Sequence, residues 1–324
     1  MKKAYLVLVI ICYMLSVCIC AHAEASDLNA FCAYWIGIDA ETNGRVIMKS
    51  NNGEGSFPVM NMASGYLLEG GSDGNVYYAD MNDNGQWEIY EADSGISIAT
   101  LEDSDIIRVL AYQNDTVFYI KSMDGIPVMI AYEKEHGAKC YPYGGYTVEF
   151  DRPVEGGNNQ ELDTYECEAG RTVLIYTTTI SEDGKAAYCI DNSIAWQPEN
   201  FSNSIYITTL NQPDLYVGEG SHPVWLDKNR LLYIGNDSKL YQYDVENQIV
   251  HLFVSDKNAE ISLPSIDPEA RMTVINENCI GYIQMQGKER KLVLLSLQTE
   301  KTQAIDSVNP TDFMDVIVKI TLSS

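Results

Sequence analysis

Basic residues are scarce in this chain. Its 324 residues include 21 lysines and arginines against 46 aspartates and glutamates, which gives a formal net charge of −25. Such a charge repels nucleic-acid phosphates and anionic lipid heads, and no cluster of lysines and arginines offers a local exception. We therefore expect no nucleic-acid binding. Cations or a basic partner would suit this charge, as would a solvated acidic surface that maintains solubility.

Histidine is also rare. Of the four, three follow the N-terminal segment, and these residues, His136, His222 and His251, are far apart in the sequence. Isolated histidines lack the spacing of a zinc site and have no triad partner nearby.

Residues 70–74 fit the G-x-S-x-G pattern of a serine nucleophile, but residues 75–78 alternate as a strand where that motif needs a helix. The carboxylates are too numerous for one pair to stand out, so glycosidase chemistry is neither named nor excluded.

Cysteine is present but forms no recognisable framework. Five of the eight cysteines follow the N-terminal segment: Cys32, Cys140, Cys167, Cys189 and Cys279. Their number is odd, no two are close and no C-x-x-C pair exists, so we interpret them mainly as small buried residues and expect no structural zinc. A single bridge between Cys167 and Cys189 stays open as an alternative.

Long apolar runs are absent except at the N-terminus. Two lysines precede an apolar run at residues 4–20, and a small-x-small site ending at Ala23 follows it. These are the features of a secretory signal, so we predict a signal peptide at residues 1–23, cleaved after Ala23 or Ala25, and one soluble domain at residues 26–324. The protein would then be secreted or extracytoplasmic. An uncleaved membrane anchor is the alternative, because the run is near the lower limit for a bilayer span.

One unit recurs along the rest of the chain: an alternating apolar strand, a polar loop of about five residues and a second alternating strand. Another pair of strands precedes most copies, as residues 231–233 precede residues 240–243. Four short strands in about 40 residues are typical of a β-propeller blade. Two β-sandwiches are the alternative, although a sandwich has no reason to repeat one hairpin. The hairpins centre near residues 42, 94, 135, 211, 247 and 300.

Three of these units carry a shared motif. Residues 223–233 read P-V-W-L-D-K-N-R-L-L-Y and are followed by L-Y-Q-Y-D at residues 240–244. Residues 181–188 read S-E-D-G-K-A-A-Y, and residues 265–268 read S-I-D-P, which retains only part of the motif. These segments resemble the repeat of the TolB-like, WD40-like (PD40-type) β-propeller family, P-x-W-S-P-D-G-x-x-L-x-Y then L-Y-x-x-D. The resemblance implies an all-β propeller fold rather than an activity, since the full S-P-D-G appears nowhere.

The spacing of the units predicts six blades, with seven as the alternative. The gap between the hairpins near residues 135 and 211 is long enough for another blade or for a large exposed loop, which residues 154–163 resemble. The first unit lacks inner strands, whereas residues 313–320 alternate at the chain end. We therefore expect the C-terminal strand to complete the first blade and close the ring, which removes sheet edges.

One motif could bind a metal. Residues 80–91 match the twelve-residue calcium loop pattern, but strands flank them where helices should. If residues 85–91 form an extended strand, Glu91 lies about 20 Å from Gly85 and is too far away to bind an ion in the loop. We therefore predict at most a shorter calcium site, with an Asn-Gly hairpin turn as the alternative. Its ligands would be Asp80, Asn82, Asn84, the carbonyl of Gln86, and Glu88.

The leading functional hypothesis is a secreted, non-catalytic β-propeller that binds a protein, peptide or glycan through its loops. The lack of a nucleophile motif, a histidine cluster or a cofactor fingerprint favours binding over catalysis. One alternative is an extracytoplasmic hydrolase that uses acidic residues at the central channel. Another is a structural module of a cell-envelope assembly.

Overall fold

A computed structural model of the chain describes most of the region after residue 30. The predicted signal segment, Ser72, His136 and the predicted loop at residues 154–163 lie outside the described residues. Within the described part, no helix is long and apolar enough to cross a membrane. The described residues are 31–39, 43–52, 54–68, 74–123, 126–133, 137–142, 148–149, 164–167, 172–191, 203–209, 214–256, 258–267, 270–287, 289–305 and 319–322.

The fold is all-β, as predicted, and these ranges form 25 strands. The first eleven are β1 (Phe31–Ile38), β2 (Arg45–Asn51), β3 (Phe57–Met62), β4 (Tyr66–Leu67), β5 (Tyr77–Met81), β6 (Trp87–Glu91), β7 (Ser97–Thr100), β8 (Ile106–Gln113), β9 (Thr116–Met123), β10 (Ile126–Glu133) and β11 (Gly137–Pro142). The next nine are β12 (Val148–Glu149), β13 (Thr164–Cys167), β14 (Thr172–Ile180), β15 (Ala186–Asp191), β16 (Asn203–Thr208), β17 (Leu215–Trp225), β18 (Arg230–Gly235), β19 (Leu240–Asp244) and β20 (Ile249–Leu252). The last five are β21 (Thr273–Asn276), β22 (Cys279–Gln286), β23 (Glu289–Ser296), β24 (Thr302–Ile305) and β25 (Lys319–Leu322).

The strands form five antiparallel sheets, which we number in chain order. Sheet 1 has the order β25-β1-β2-β3, sheet 2 is β4-β5-β6-β7, and sheet 3 contains β8 to β11. Sheet 4 has nine strands, β12 to β20, and sheet 5 contains β21 to β24. Four of the five sheets are therefore four-stranded, which is the unit that the hairpin repeat predicts.

Strand β17 divides sheet 4 into two halves. Residues 215–219 pair with β16, whereas residues 220–225 pair with β18. The change of partner occurs at Gly220, where a Cβ atom would lie 2.2 Å from the carbonyl oxygen of Ile234. Only glycine allows the backbones to approach so closely. One strand thus serves as the last strand for β14–β16 and as the first strand for β18–β20.

Alternation along each strand sends side chains to two different neighbours. On β1, Phe31 and Trp35 pack with residues of sheet 5, whereas Tyr34 and Ile36 pack with residues of sheet 2. Other pairs of sheets share hydrophobic clusters in the same way. Sheets 1, 2 and 3 share one hydrophobic cluster, and sheet 3 shares another with the first half of sheet 4. The two halves of sheet 4 share a third, and the second half shares a fourth with sheet 5.

The two ends of the described chain pair with each other. Strand β25 lies antiparallel to β1, with Leu322 opposite Phe31 and Ile320 opposite Ala33. This is the pairing expected for the C-terminal segment, although the earlier part of that segment, residues 313–318, lies outside the described residues. The pairing gives β1 a partner on each side.

The motif residues of the TolB-type resemblance form tight turns between strands. In the turn before β18, Asp227 Oδ1 accepts hydrogen bonds from the main-chain N–H groups of Asn229 and Arg230, at 2.8 and 2.9 Å. In the turn before β15, the hydroxyl of Ser181 accepts from the N–H of Lys185 at 2.8 Å. The motif therefore marks turn chemistry, in which short polar side chains replace missing main-chain partners.

The described cysteines lie at buried or half-buried positions. Cys189 is fully buried, and its sulfur lies 4.0 Å from the carbonyl oxygen of Gly220. Cys279 is also buried, and Cys32 is half-buried. Buried cysteines such as Cys189 and Cys279 pack as small apolar residues, which is what the sequence indicates for most of the cysteines. The side chain of Cys167 lies outside the described residues, so a bridge between Cys167 and Cys189 stays a prediction.

Candidate functional site

The predicted calcium loop is the turn of the β5–β6 hairpin. Asn82 Oδ1 accepts hydrogen bonds from the main-chain N–H groups of Asn84 and Gln86, both at 3.0 Å. The carbonyl oxygen of Gln86 accepts in turn from the N–H of Asn82 at 2.9 Å. Gly85 has a φ of +75°, which glycine adopts without strain. The tip is thus a turn held by one asparagine side chain.

Asp80 connects this hairpin to the preceding turn. Its carboxylate accepts hydrogen bonds from the main-chain N–H groups of Ala63 at 2.8 Å, Ser64 at 3.0 Å and Met81 at 2.9 Å. The turn lies close to the hairpin, because a Cβ atom on Gly65 would be 2.0 Å from the carbonyl oxygen of Ala79. Asp80 therefore satisfies donors that the turn between β3 and β4 leaves without strand partners.

Glu88 lies directly across from Asp80 in the hairpin. Its carboxylate accepts hydrogen bonds from the hydroxyls of Ser97 and Tyr90 and from the side-chain amide of Asn82. The Ser97 hydroxyl contributes most to holding the pKa of Glu88 below its usual value. Burial is the main cause that raises the pKa of Tyr90 to about 12, and the Glu88 carboxylate adds to it.

The structure therefore brings Asp80, Asn82 and Glu88 to one end of the hairpin and leaves Asn84 exposed at its tip. Oxygens of Asp80, Asn82, Gln86 and Glu88 each accept a hydrogen bond within the protein. Among the described residues, no group of three His, Cys, Asp or Glu is arranged to hold a metal ion. Calcium binding at this loop stays a prediction.

A second polar cluster joins sheets 1 and 2, and nothing in the sequence indicated it. Lys49 Nζ contacts both carboxylate oxygens of Asp93, at 3.0 and 2.9 Å, and lies 4.8 Å from the ring centroid of Tyr34. The Tyr34 hydroxyl donates to Asp93 at 2.8 Å. Burial and the Asp93 carboxylate raise the pKa of Tyr34 to about 12, although Lys49 opposes this. The pKa of Lys49 is raised because its partners outweigh the effect of burial.

Exposed apolar side chains flank this cluster. Phe57 lies across from Lys49 in the β2–β3 pair and is 47% exposed. Ile96, 63% exposed, follows the Asp93 turn, whose Gly95 lies so close to Met60 of β3 that a Cβ atom would be 2.6 Å from the methionine methyl group. We call the five residues Tyr34, Lys49, Phe57, Asp93 and Ile96 the Lys49 surface.

A third cluster is buried between β17 and sheet 5. His222 Nε2 lies 2.8 Å from the main-chain carbonyl of Asp267, which can only accept, so Nε2 carries the proton. Nδ1 then accepts from the Ser221 hydroxyl at 2.7 Å. In a Ser-His-Asp triad the histidine bonds to the aspartate carboxylate, whereas His222 bonds to the main-chain carbonyl of Asp267. The Asp267 carboxylate pairs with Arg290 instead. His222 and Asp267 lie 45 residues apart in the chain, beyond what local sequence patterns can indicate.

Comparison with known proteins concerns the fold. No protein-family model and no curated protein sequence matches this chain. The crystal structure of TolB from Acinetobacter baumannii aligns over 92% of this chain and 67% of its own, with a TM-score of 0.53 and 12% identity. A nidogen/laminin complex aligns over 91% of this chain and 98% of its own at 9% identity, with a TM-score of 0.48 that is too low to carry an argument. The TolB-like propeller resemblance predicted from the sequence is thus confirmed for the fold.

Proposed function

We propose that the protein is an exported, non-catalytic β-propeller of six blades that binds a protein, peptide or glycan partner through its surface loops. The six blades would be sheets 1, 2, 3 and 5 and the two halves of sheet 4. Supporting this count, β17 changes partner at Gly220, and the remaining strands of each half form a consecutive antiparallel series.

Ring closure has two lines of support. The shared hydrophobic clusters run from each sheet to the next and return to the start, because Phe31 and Trp35 of β1 pack with Leu292 and Leu294 of β23. The backbone pairing of β25 with β1 joins the chain ends within one sheet. A ring of sheets, each packed on two neighbours, is how a propeller buries both faces of every blade.

The proposed binding role depends on one observation, the Lys49 surface. Phe57 and Ile96 are large apolar side chains exposed to solvent beside a satisfied Lys49–Asp93 pair. Single exposed apolar residues are ordinary, but two around one polar cluster give a partner both contact area and hydrogen-bonding groups. The net charge of −25 would favour a partner with basic groups.

Site-specific photo-crosslinking in the producing cells tests this role. A photoreactive amino acid at Ile96 should give a discrete adduct, whereas the same amino acid at Thr100, exposed on β7, should not. Phe57→Ser should reduce the Ile96 adduct without changing stability, because the ring is exposed. Equal labelling at both positions would contradict the proposal. Turnover of chromogenic glycosides or peptides by the purified protein would support the hydrolase alternative instead.

A further inference from the structure

The sheets differ in how their outer edges are protected. An unpaired edge strand offers main-chain groups to any other strand, and proteins block such edges with proline, charged residues or bulges. Strand β3 contains Pro58 and a register shift, and β7 also pairs through a register shift. Strand β11 contains Lys139. Strand β24 follows Lys301, and its one large apolar residue, Ile305, is buried.

Strand β20, the outer edge of sheet 4, has none of these devices. It pairs with β19 without a register shift, and residues 249–254 contain no proline, lysine or arginine. Five of these six residues are apolar, and His251 is the exception. Three of them are exposed to solvent: Ile249 at 48%, Val250 at 38% and Val254 at 46%. Such a strand is suited to pairing with another.

The hydrogen bonds show which groups of β20 face outward. Phe253 donates its N–H to the carbonyl of Leu240 at 2.9 Å, so Phe253 faces β19. Main-chain groups alternate in direction along an antiparallel strand, so the N–H and C=O groups of Val250 and Leu252 point away from β19. Within the described part of the chain, no hydrogen bond reaches the main chain of Val250 or Leu252 from that side. Four main-chain groups are therefore available to an added strand.

The charged residues around β20 indicate which charge an added strand should carry. Asp244 lies across from Ile249, Glu246 is exposed in the adjoining turn, and Asp256 is exposed beyond the other end. Lys239 is engaged with Glu260, at 2.6 Å. Among the described residues, the strand is thus apolar except at His251, and carboxylates lie near both of its ends. A second copy of this chain would bring a charge of −25 against another −25 and is disfavoured.

We propose that β20 is a docking edge that takes an extended segment of a basic partner protein as an added strand, with alternating apolar and basic side chains. This names a second contact surface for the binding role proposed above and rests on that role. The apolar residues of the added strand would pack on Val250 and Leu252, and its basic residues would reach the carboxylates at the two ends.

A direct binding measurement with the purified full chain tests the edge. The probes are two fluorescein-labelled peptides of about eight residues, one alternating Val and Lys and one alternating Val and Glu. Fluorescence anisotropy should show saturable binding of the lysine peptide that weakens as salt is raised, and no binding of the glutamate peptide. Glu246→Lys should weaken binding of the lysine peptide.

Val250→Pro is the decisive variant. Proline removes the outward N–H of Val250 and keeps every bond to β19, so affinity should fall about tenfold while the melting temperature holds. Val250→Thr keeps the N–H and the β-branched shape, and it should bind like the wild type. Unchanged binding in Val250→Pro, or equal binding of both peptides, would overturn the proposal. So would a dimer that Val250→Pro dissociates. Because crosslinking at Ile96 probes the Lys49 surface, either proposal can fail alone.

Discussion

The carboxylate of Asp267 and the guanidinium of Arg290 form a buried ion pair, with Oδ2 and Nε 2.5 Å apart. Both side chains are almost closed to solvent, and the pair connects the segment before β21 to β23. The main-chain carbonyl of the same aspartate accepts from His222 on β17. One residue therefore joins sheet 5 to the second half of sheet 4.

We predict that breaking this pair on one side costs more than replacing both partners. Arg290→Met leaves the Asp267 carboxylate buried without its cation, which should lower the free energy of unfolding by about 3 kcal/mol or more. The double variant Asp267→Asn with Arg290→Met removes both charges and should recover part of that loss. Urea unfolding of the two variants measures the difference. A double variant no more stable than Arg290→Met would contradict this account.

The second prediction concerns pH. Burial lowers the pKa of His222, so the unfolded chain, with a pKa of about 6.5, binds more protons than the folded protein. The contribution of neutral His222 to the free energy of unfolding is fully present above about pH 6.5 and is lost as the pH falls below that value. Carboxylates with a lowered pKa, such as Asp103, lose their contribution to the free energy of unfolding only nearer pH 4. They therefore do not interfere with the effect of His222 between about pH 5 and pH 6.5.

Urea unfolding between about pH 8 and pH 5 checks this. The φ of His222 is +55°, which asparagine tolerates, so His222→Asn should lower stability and also flatten its dependence on pH. His251→Gln is the matched control, because it also removes a histidine but at an exposed position. A slope that His222→Asn leaves unchanged would assign the effect to another group.

The third prediction concerns Asp80. Asp80→Ala removes the acceptor for three main-chain N–H groups and should destabilise the protein by about 1 kcal/mol. Asp83→Ala, an exposed position in the same turn, should change stability by less than about 0.5 kcal/mol. Thermal unfolding of both variants without added metal makes the comparison.

The fourth prediction separates a calcium site from diffuse attraction. A weak site, with a Kd of about 10⁻⁴ to 10⁻³ M, should raise the melting temperature with millimolar calcium even at about 0.3 M salt. Diffuse attraction to the net charge would be screened under that condition. Glu88→Gln should abolish the shift. If magnesium gives an equal shift, the loop is an ordinary hairpin turn.

The fifth prediction concerns the chain ends. Deleting residues 319–324 removes the strand that pairs with β1 and exposes the free edge of β1. The melting temperature and solubility should both fall, since an uncovered edge strand invites aggregation. Deleting only residues 323–324, which follow β25, is the control. An unchanged melting curve in the longer deletion would contradict ring closure.

Local patterns in the sequence predicted the hairpins well, and they failed where the cause is not local. Period-two alternation identified residues 240–243 and 250–254, which correspond to β19 and β20. Strand β4 was missed because two residues are too short for any periodicity. Strand β17 contains Gly218, Gly220 and Pro223, which are typical of a strand break, so local patterns do not indicate one continuous strand of eleven residues.

The candidate sites show the same limit. The residues of the calcium pattern occur in the order that the pattern requires. Most of their side chains, however, bond to the turn itself or to the neighbouring turn. The Lys49 surface depends on Asp93, 44 residues further along the chain. Such contacts follow from the packing of one sheet on the next, which a single sequence without its fold does not display.

The passage of β17 from one partner to the next at Gly220 also bears on how this architecture can change over generations. Where neighbouring units are joined by a loop, recombination can duplicate or remove a unit without cutting a strand. At Gly220 the boundary runs through the interior of an eleven-residue strand, and any exchange there would leave half a strand on each side. The stretch from β14 to β20 should therefore be inherited as a single block, whereas units elsewhere can be gained or lost singly.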